Sequence, residues 1–472
     1  MITFFVALAC LILGYVLYGA FVEKVFGVDA NRKTPCYTRA DGVDYMPMPT
    51  WKVFLIQFLN IAGTGPIFGA IMGILYGPSA YLWIVFGCIF AGAVHDYLSG
   101  MISLRQDGAS LPEIVGGELG PVIRNVMRVC AMVLMVLVGA VFVTTPAGLL
   151  ANMTSGWGAW GTVGVWSAVI FIYYILATLL PIDQLIGRIY PLFGVALLIM
   201  AVGVGYGVMS NPGWMPEVTD GLASHHPKGL AVLPMLCITV ACGAISGFHA
   251  TQSPMMARCM KNERLGRPVF YGAMIVEGIV ALIWAAAAIK FAGSYERLAE
   301  MGNPAVVVNE ICQNWMGTVG AILAILGVVA APVTSGDTAF RSARLIAADF
   351  LHFPQDKLWR RLALCLPIFV LSAILMMVDF DVLWRYFAWF NQTLGMITLW
   401  ALSVWLARNH KCYWIALLPA MFMTFITSSY ILTAPEGFTL PLAVSMMSGG
   451  LLALLLAGLF FRWKSKEILK KQ

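Results

Sequence analysis

The sequence predicts an all-α membrane protein with about 13 transmembrane helices. The first reason is composition. Of 472 residues, 60% are hydrophobic and only 11% charged, against roughly 25% charged in a soluble domain. Mean hydropathy is +0.84. The second reason is that apolar residues come in continuous runs, without the alternation of barrel strands. The third is the placement of charge. With the N-terminus outside, the 29 lysines and arginines gather in inward-facing segments. Only Lys228, Lys290, Arg297 and Arg385 fall on the other side, as the positive-inside rule requires. The net charge of +6 is spread over short loops, so a lipid bilayer is the expected partner and nucleic acid is not.

The runs cover 3–22, 52–76, 79–104, 121–151, 162–180, 185–209, 229–257, 267–293, 316–345, 358–378, 382–405, 412–432 and 440–461. This count puts the C-terminus inside. Residues 1–22 have the length of a signal peptide but lack a basic lead, so they read as a retained helix. The polar stretches 23–50 and 210–228 read as loops on opposite faces, and His225-His226 in the second as a solvated pair rather than a metal site. Ser110-Leu111-Pro112-Glu113 has the capping-box pattern. The ten cysteines show no C-x-x-C spacing and read as small buried residues, with neither a disulfide framework nor a cysteine metal site expected. No linker is visible, so residues 1–472 form one membrane domain.

Two runs carry the same defect. The run over 52–76 holds Gly63, Thr64, Gly65 and Pro66 near its middle, and the run over 229–257 holds Gly243, Ser246 and Gly247. Proline removes a backbone donor and clashes with the preceding turn. Irregular backbone at membrane depth is tolerated only where protein buries it or a cavity borders it. Paired interrupted segments are the best sequence pointer to a transporter binding site. Easing of helix packing by small residues is the alternative. Five runs separate the starts of the two breaks. An odd number inverts the second set, giving a five-plus-five inverted repeat of LeuT/amino acid–polyamine–organocation type. The repeats would be 51–209 and 229–405. Residues 1–50 then add an N-terminal helix and loop, and 412–472 two C-terminal helices and a tail.

Ionisable groups within spans are functional candidates by default. Here they are His95, Asp96, His249, Glu277 and Asp337, joined by the polar Thr334, Ser335 and Asn391. Asp337 and Arg341 are one turn apart and can form an intrahelical pair; Asp337 can alternatively carry a coupling proton. Asn60 to Gly63 lie at the depth of Thr334 and Ser335. Freed carbonyls facing hydroxyls would cage a hard monovalent cation, so Asn60, Gly63, Thr334 and Ser335 are the candidate Na⁺ ligands. His95 and His249 suit proton handling but can equally be satisfied buried histidines. Asp96 and Glu277 can be hydrogen-bonded structural acids. There is no His-x-x-x-His, and whether His95, Asp96 and His249 converge is left open. No cofactor is expected beyond Na⁺ or H⁺ as coupling ion.

The sequence resembles the carbon starvation protein A family. The matching text is Asp41-Gly42-Val43-Asp44-Tyr45, Ile61-Ala62-Gly63-x-Gly65-Pro66, Ala91-Gly92-Ala93-Val94-His95-Asp96-Tyr97, and Arg105-x-Asp107-Gly108-x-Ser110-Leu111. It continues with His249-Ala250-Thr251-Gln252-Ser253-Pro254-Met255-Met256-Ala257-Arg258, Phe270 through Ile275, Pro332 through Arg341, and Asn391-Gln392-Thr393. The resemblance implies uptake of peptides or pyruvate across a bacterial inner membrane during nutrient limitation, driven by a proton or sodium gradient. There are departures. Ile56-Gln57 stands where long members carry two histidines, Thr64 stands where they have Ala, and their C-terminal half is longer. Gln57, Asn60 and Thr64 therefore look like positions where a short branch re-tunes its site.

The expected function is a secondary active symporter. Its solute would meet Asn60, Gly63, Thr64, Gly65, Pro66, Ser246, Gly247, His249 and Asn391. Coupling would fall to Thr334, Ser335, Asp337, His95, Asp96 and Glu277. Half-helix N-termini at the breaks favour a solute carboxylate. An uncoupled channel or a transporter-derived nutrient receptor is the alternative. An intramembrane hydrolase is disfavoured, since neither G-x-S-x-G nor H-E-x-x-H occurs.

Overall fold

A computed structural model describes residues 1–41, 45–179, 182–354 and 357–469. The Gly42-Val43-Asp44 part of the first family motif lies outside the described residues. Every regular element among the described residues is helical. Eight helices are long and apolar enough to cross a membrane, or up to ten if each of two bent pairs counts as one span. We label the helices α1 (Ile2–Phe26), α2 (Thr50–Ala62), α3 (Gly65–Tyr76) and α4 (Ser79–Arg105). Next come α5 (Leu111–Leu119), α6 (Pro121–Met153), α7 (Val163–Leu179) and α8 (Ile182–Ser210). Then follow α9 (Met235–Thr239), α10 (Gly247–Ala257), α11 (Glu263–Ala292), α12 (Pro304–Ala324) and α13 (Ala330–Leu351). The last are α14 (Leu358–Leu375), α15 (Phe380–Arg408), α16 (Trp414–Thr433) and α17 (Leu442–Leu469).

Each expected run has a helical counterpart. The run over 52–76 is the bent pair α2 and α3, at 44°. The run over 229–257 is less helical than expected. Only α9 and α10 are regular, and residues 240–246 between them are largely unwound. The run over 316–345 lies in the bent pair α12 and α13, at 43°. Gly317, at φ 58, breaks α12 one residue after the expected start.

Burial follows composition. Over Gly272–Ala292, α11 is apolar on every face apart from Glu277 and Lys290 and lies inside the bundle, which is where such a helix belongs. Helices α14 and α17 are apolar yet mostly exposed, with 22% of their best apolar stretch buried, as lipid-facing helices are. Helix α1 packs on α4 and α11. Tyr18 lies edge-on to Phe90, with centroids 4.8 Å apart, and Leu11 is fully buried.

Loops of like expected side touch one another. At one end the buried Glu263 accepts from Arg105 Nη2 at 2.9 Å and Nε at 3.0 Å and from the Asp29 N–H at 2.8 Å. Arg105 also donates to the Gly27 carbonyl, and Lys411 to those of Val25 and Phe26. At the other end Glu217 receives the Met1 amino group and the N–H groups of Ile2 and Thr3. The His225 ring stacks on Tyr295 at 4.3 Å and His226 lies against Tyr76, while His225 stays exposed and His226 is half-buried. The capping box at Ser110 does not form. Ser110 makes no side-chain cap, and the reciprocal bond is missing as well, since the Glu113 carboxylate is taken by Arg128 at 2.7 Å and lies 3.7 Å from Arg124.

Candidate functional site

The two breaks meet. Helix α2 stops at Ala62 because Gly63 takes φ +30, ψ −141, and α3 restarts at Gly65 with Pro66 in its first turn. This strands carbonyls that a continuous helix would use. Gly65 has no room for a side chain: a Cβ there would lie 2.3 Å from Cys242 Sγ, in the unwound segment before α10. The first break therefore rests directly on the second.

Side chains from neighbouring helices reach polar groups in the unwound 240–246 segment and at the helix ends on either side of it. Trp83 Nε1 donates to the Val240 carbonyl at 2.9 Å, and Gln392 Nε2 to that of Cys237 at 3.0 Å. Asn391 Oδ1 accepts from the Phe248 N–H at 2.7 Å and from Ser246 Oγ at 3.0 Å. Ser246 occupies the N-cap position of α10 but supplies no cap of its own. Asn391, from α15, supplies it instead.

Between these breaks lies a buried polar chain. Asp96 Oδ1 accepts from His95 Nδ1 and Oδ2 from His249 Nδ1, both at 2.8 Å. His249 Nε2 lies 3.4 Å from Glu277 Oε2. All four residues are 0% exposed. The convergence that the sequence leaves open is thus complete, and it includes Glu277. Both Glu277 oxygens lack a hydrogen-bond partner. Cys242, which the sequence reading passed over as a small core residue, joins His249 and Glu277: their donor atoms lie within 4.8 Å of one another.

A second cluster joins α2 to α13. Ser335 Oγ donates to the Leu59 carbonyl at 3.1 Å. That carbonyl is one that the break at Gly63 frees. Thr334 Oγ1 turns back to the Ala331 carbonyl of its own helix at 2.7 Å. Asp337 Oδ2 accepts from Tyr190 at 2.8 Å, and Tyr174 donates to the carbonyls of Phe142 and Pro332. These tyrosines were missed, and the only signal was a hydroxyl inside an apolar run. Arg341 donates to the Ala177 carbonyl at 3.0 Å. Along α2 and the break, Asn60 and Thr64 are fully buried, and their side-chain polar atoms have no hydrogen-bond partner. Gln57 reaches Ser253 Oγ only at 3.5 Å.

Two interrupted helical runs thus meet beside a buried polar centre. The sequence model of the family described as carbon starvation protein CstA matches residues 1–212 and 159–314, and the chain belongs to that family. A Haemophilus influenzae protein described as an uncharacterized membrane protein is 46% identical over 338 residues, 62% of this chain and 91% of that one. The Campylobacter jejuni peptide transporter CstA is 31% identical over 59% of this chain. The Escherichia coli pyruvate/proton symporter BtsT is 30% identical over 57% of it. The match takes in 48% and 46% of those two transporters, about half the length of each. The fold is shared with a manganese transporter from Eremococcus coleocola, at TM-score 0.59 and 13% identity over 92% of this chain and 99% of that one.

Proposed function

We propose that the chain is a secondary active symporter that takes up a small carboxylate, pyruvate or a peptide, on a proton or sodium gradient in a bacterial inner membrane. The observation that carries this is the contact of the two helix breaks at Gly65 and Cys242. The family relatives named as a peptide transporter and a pyruvate/proton symporter support the solute class. In this reading the chain crosses the bilayer about 13 times, as a five-plus-five inverted repeat flanked by α1 and by α16 and α17. The grouping of loops around Glu263 and around Glu217 supports that parity, with the N-terminus out and the C-terminus in.

The solute lies between Asn60 to Pro66 and Ser246 to His249, where the positive ends of α3 and α10 meet and favour a carboxylate. The coupling ion lies between α2 and α13. Sodium would use Ser335, Thr334 and the carbonyls near Asn60 and Gly63, all hard oxygen donors; a proton would use Asp337. We assign coupling there rather than to His95, Asp96 and Glu277, which are held together with His249 in one chain. Helices α2, α3, α4, α9, α10 and α11 rock against the rest.

The test is uptake of radiolabelled pyruvate and of a dipeptide into proteoliposomes, with sodium and proton gradients imposed separately. Accumulation under one gradient alone identifies solute and ion together. Flux without accumulation under either gradient replaces the symporter with a channel. Binding without flux replaces it with a receptor.

A further inference from the structure

We propose that Cys242, His249 and Glu277 form a binding site for one divalent transition-metal ion. The argument starts from an electrostatic conflict. His249 Nδ1 lies 2.8 Å from Asp96 Oδ2; with Nδ1–H as the donor, the neutral tautomer carries its lone pair on Nε2. That lone pair faces Glu277 Oε2 at 3.4 Å. Neither His249 Nε2 nor either Glu277 oxygen has a hydrogen-bond partner. Two acceptors held face to face at 0% exposure repel unless a cation stands between them.

A proton on Nε2 would relieve the pair, but it has no use for the third group. Cys242 Sγ, on the unwound segment before α10, lies within 4.8 Å of the other two donors. The nitrogen–oxygen separation is the edge of a tetrahedron with bonds of about 2.1 Å, the usual length for zinc to these donors. Nitrogen, sulfur and carboxylate oxygen together select Zn²⁺ and Co²⁺ over Mg²⁺ and Ca²⁺.

The surroundings are those of a metal site as well. Ligating histidines almost always give their other N–H to a carboxylate or carbonyl, and Asp96 is that carboxylate here. Asn391 Nδ2 donates to Cys242 Sγ at 3.7 Å, which helps to orient the sulfur. Two of the three ligands are thus oriented by partners that are not ligands. The sequence hid the site because its ligands come from α10, α11 and the segment before α10, with no local spacing to betray them. The inference stands whichever solute is carried.

The test is Co²⁺ titration of the tag-free, full-length protein in detergent. One Co²⁺ per chain is expected, with a thiolate-to-cobalt charge-transfer band that Zn²⁺ abolishes and excess Mg²⁺ does not. Cys242→Ser should lose the band, and Glu277→Gln should bind at least about tenfold more weakly. Asp96→Asn, which removes a positioning residue, should weaken binding by about 10–100-fold. The double variant His225→Ala, His226→Ala should bind as the wild type does. X-ray absorption of the wild-type cobalt complex, independent of any variant's folding, should show one sulfur neighbour. Failure of the folded wild type to bind Co²⁺ or Zn²⁺ overturns the site, and leaves the proton as what lies between His249 and Glu277. Binding with no sulfur neighbour, or with a charge-transfer band that persists in Cys242→Ser, overturns it equally.

Discussion

The side-chain oxygen of Asn391 accepts the backbone N–H of Phe248 at 2.7 Å, so one helix caps the start of another across the bundle. The same oxygen accepts from Ser246. Loss of a cap costs about 1 kcal/mol. Asn391→Ala should lower the melting temperature in detergent and reduce uptake at unchanged expression. Asn391→Asp keeps the acceptor and should restore much of the stability. Equal damage by both variants would show that the amide N–H₂ group, and not the cap, is what matters.

Ser335 tests the coupling site. Its hydroxyl touches the Leu59 carbonyl, and Ser335→Ala removes one oxygen from the cage without leaving a large cavity. The half-saturating concentration of the coupling ion should rise about tenfold, equivalent to 1.4 kcal/mol, with solute affinity at saturating ion little changed. If the ion dependence of uptake is unmoved, the coupling ion does not sit between α2 and α13.

Gly247 tests the close approach of α10 to α15. A Cβ there would lie 2.4 Å from the Gly395 nitrogen and 2.5 Å from the Asn391 carbonyl oxygen. Both are backbone atoms and cannot swing aside. Gly247→Ala should cost about 1–3 kcal/mol, the usual penalty for overpacking, seen as a lower melting temperature. A variant as stable as the wild type would mean that α10 moves freely against α15.

Glu263 tests the ion network at the opposite end from Met1. Its carboxylate is fully buried among Arg105, Arg32 and the Asp29 N–H. Hydrogen bonds to charged groups contribute about 1.5–3 kcal/mol, and Arg105, Arg32 and Asp29 are still partly in reach of water. Glu263→Gln should therefore lower stability by about 2 kcal/mol rather than abolish folding. Limited proteolysis of the 23–41 segment should quicken in step. Unchanged proteolysis would show that the segment is held by its other contacts, such as that of Lys411 with Phe26.

Both helix breaks were legible in the sequence, because Gly63, Pro66 and Gly247 are local chemistry that no tertiary contact can conceal. The ionisable residues were legible too, since a charge in an apolar run stands out. What the sequence could not supply was pairing. Asp96 lies next to His95 in the chain, but its contact with His249 spans 153 positions and leaves no periodic trace. Asn391 was picked out as a solute contact, and the structure has its amide engaged in capping α10. Cys242 was hidden for the opposite reason, because a buried cysteine in an apolar run is the ordinary case. The start of α12 was lost because Asn309, Glu310, Gln313 and Asn314 dilute its apolar signal.

Helix α1 packs on α4 and α11, two members of the proposed moving half, and so travels with them. Its outer face, with Phe5, Ile12, Leu13, Val16, Leu17 and Phe21, is exposed and meets acyl chains. The bilayer therefore bears on the moving part itself and not only on the frame around it. Mismatch between a hydrophobic helix and its membrane costs fractions of a kcal/mol per Å, enough to tilt a balance between two conformers. In the proposed cycle membrane thickness would be a second input alongside the ion gradient, and turnover would follow the lipid in which the protein is held.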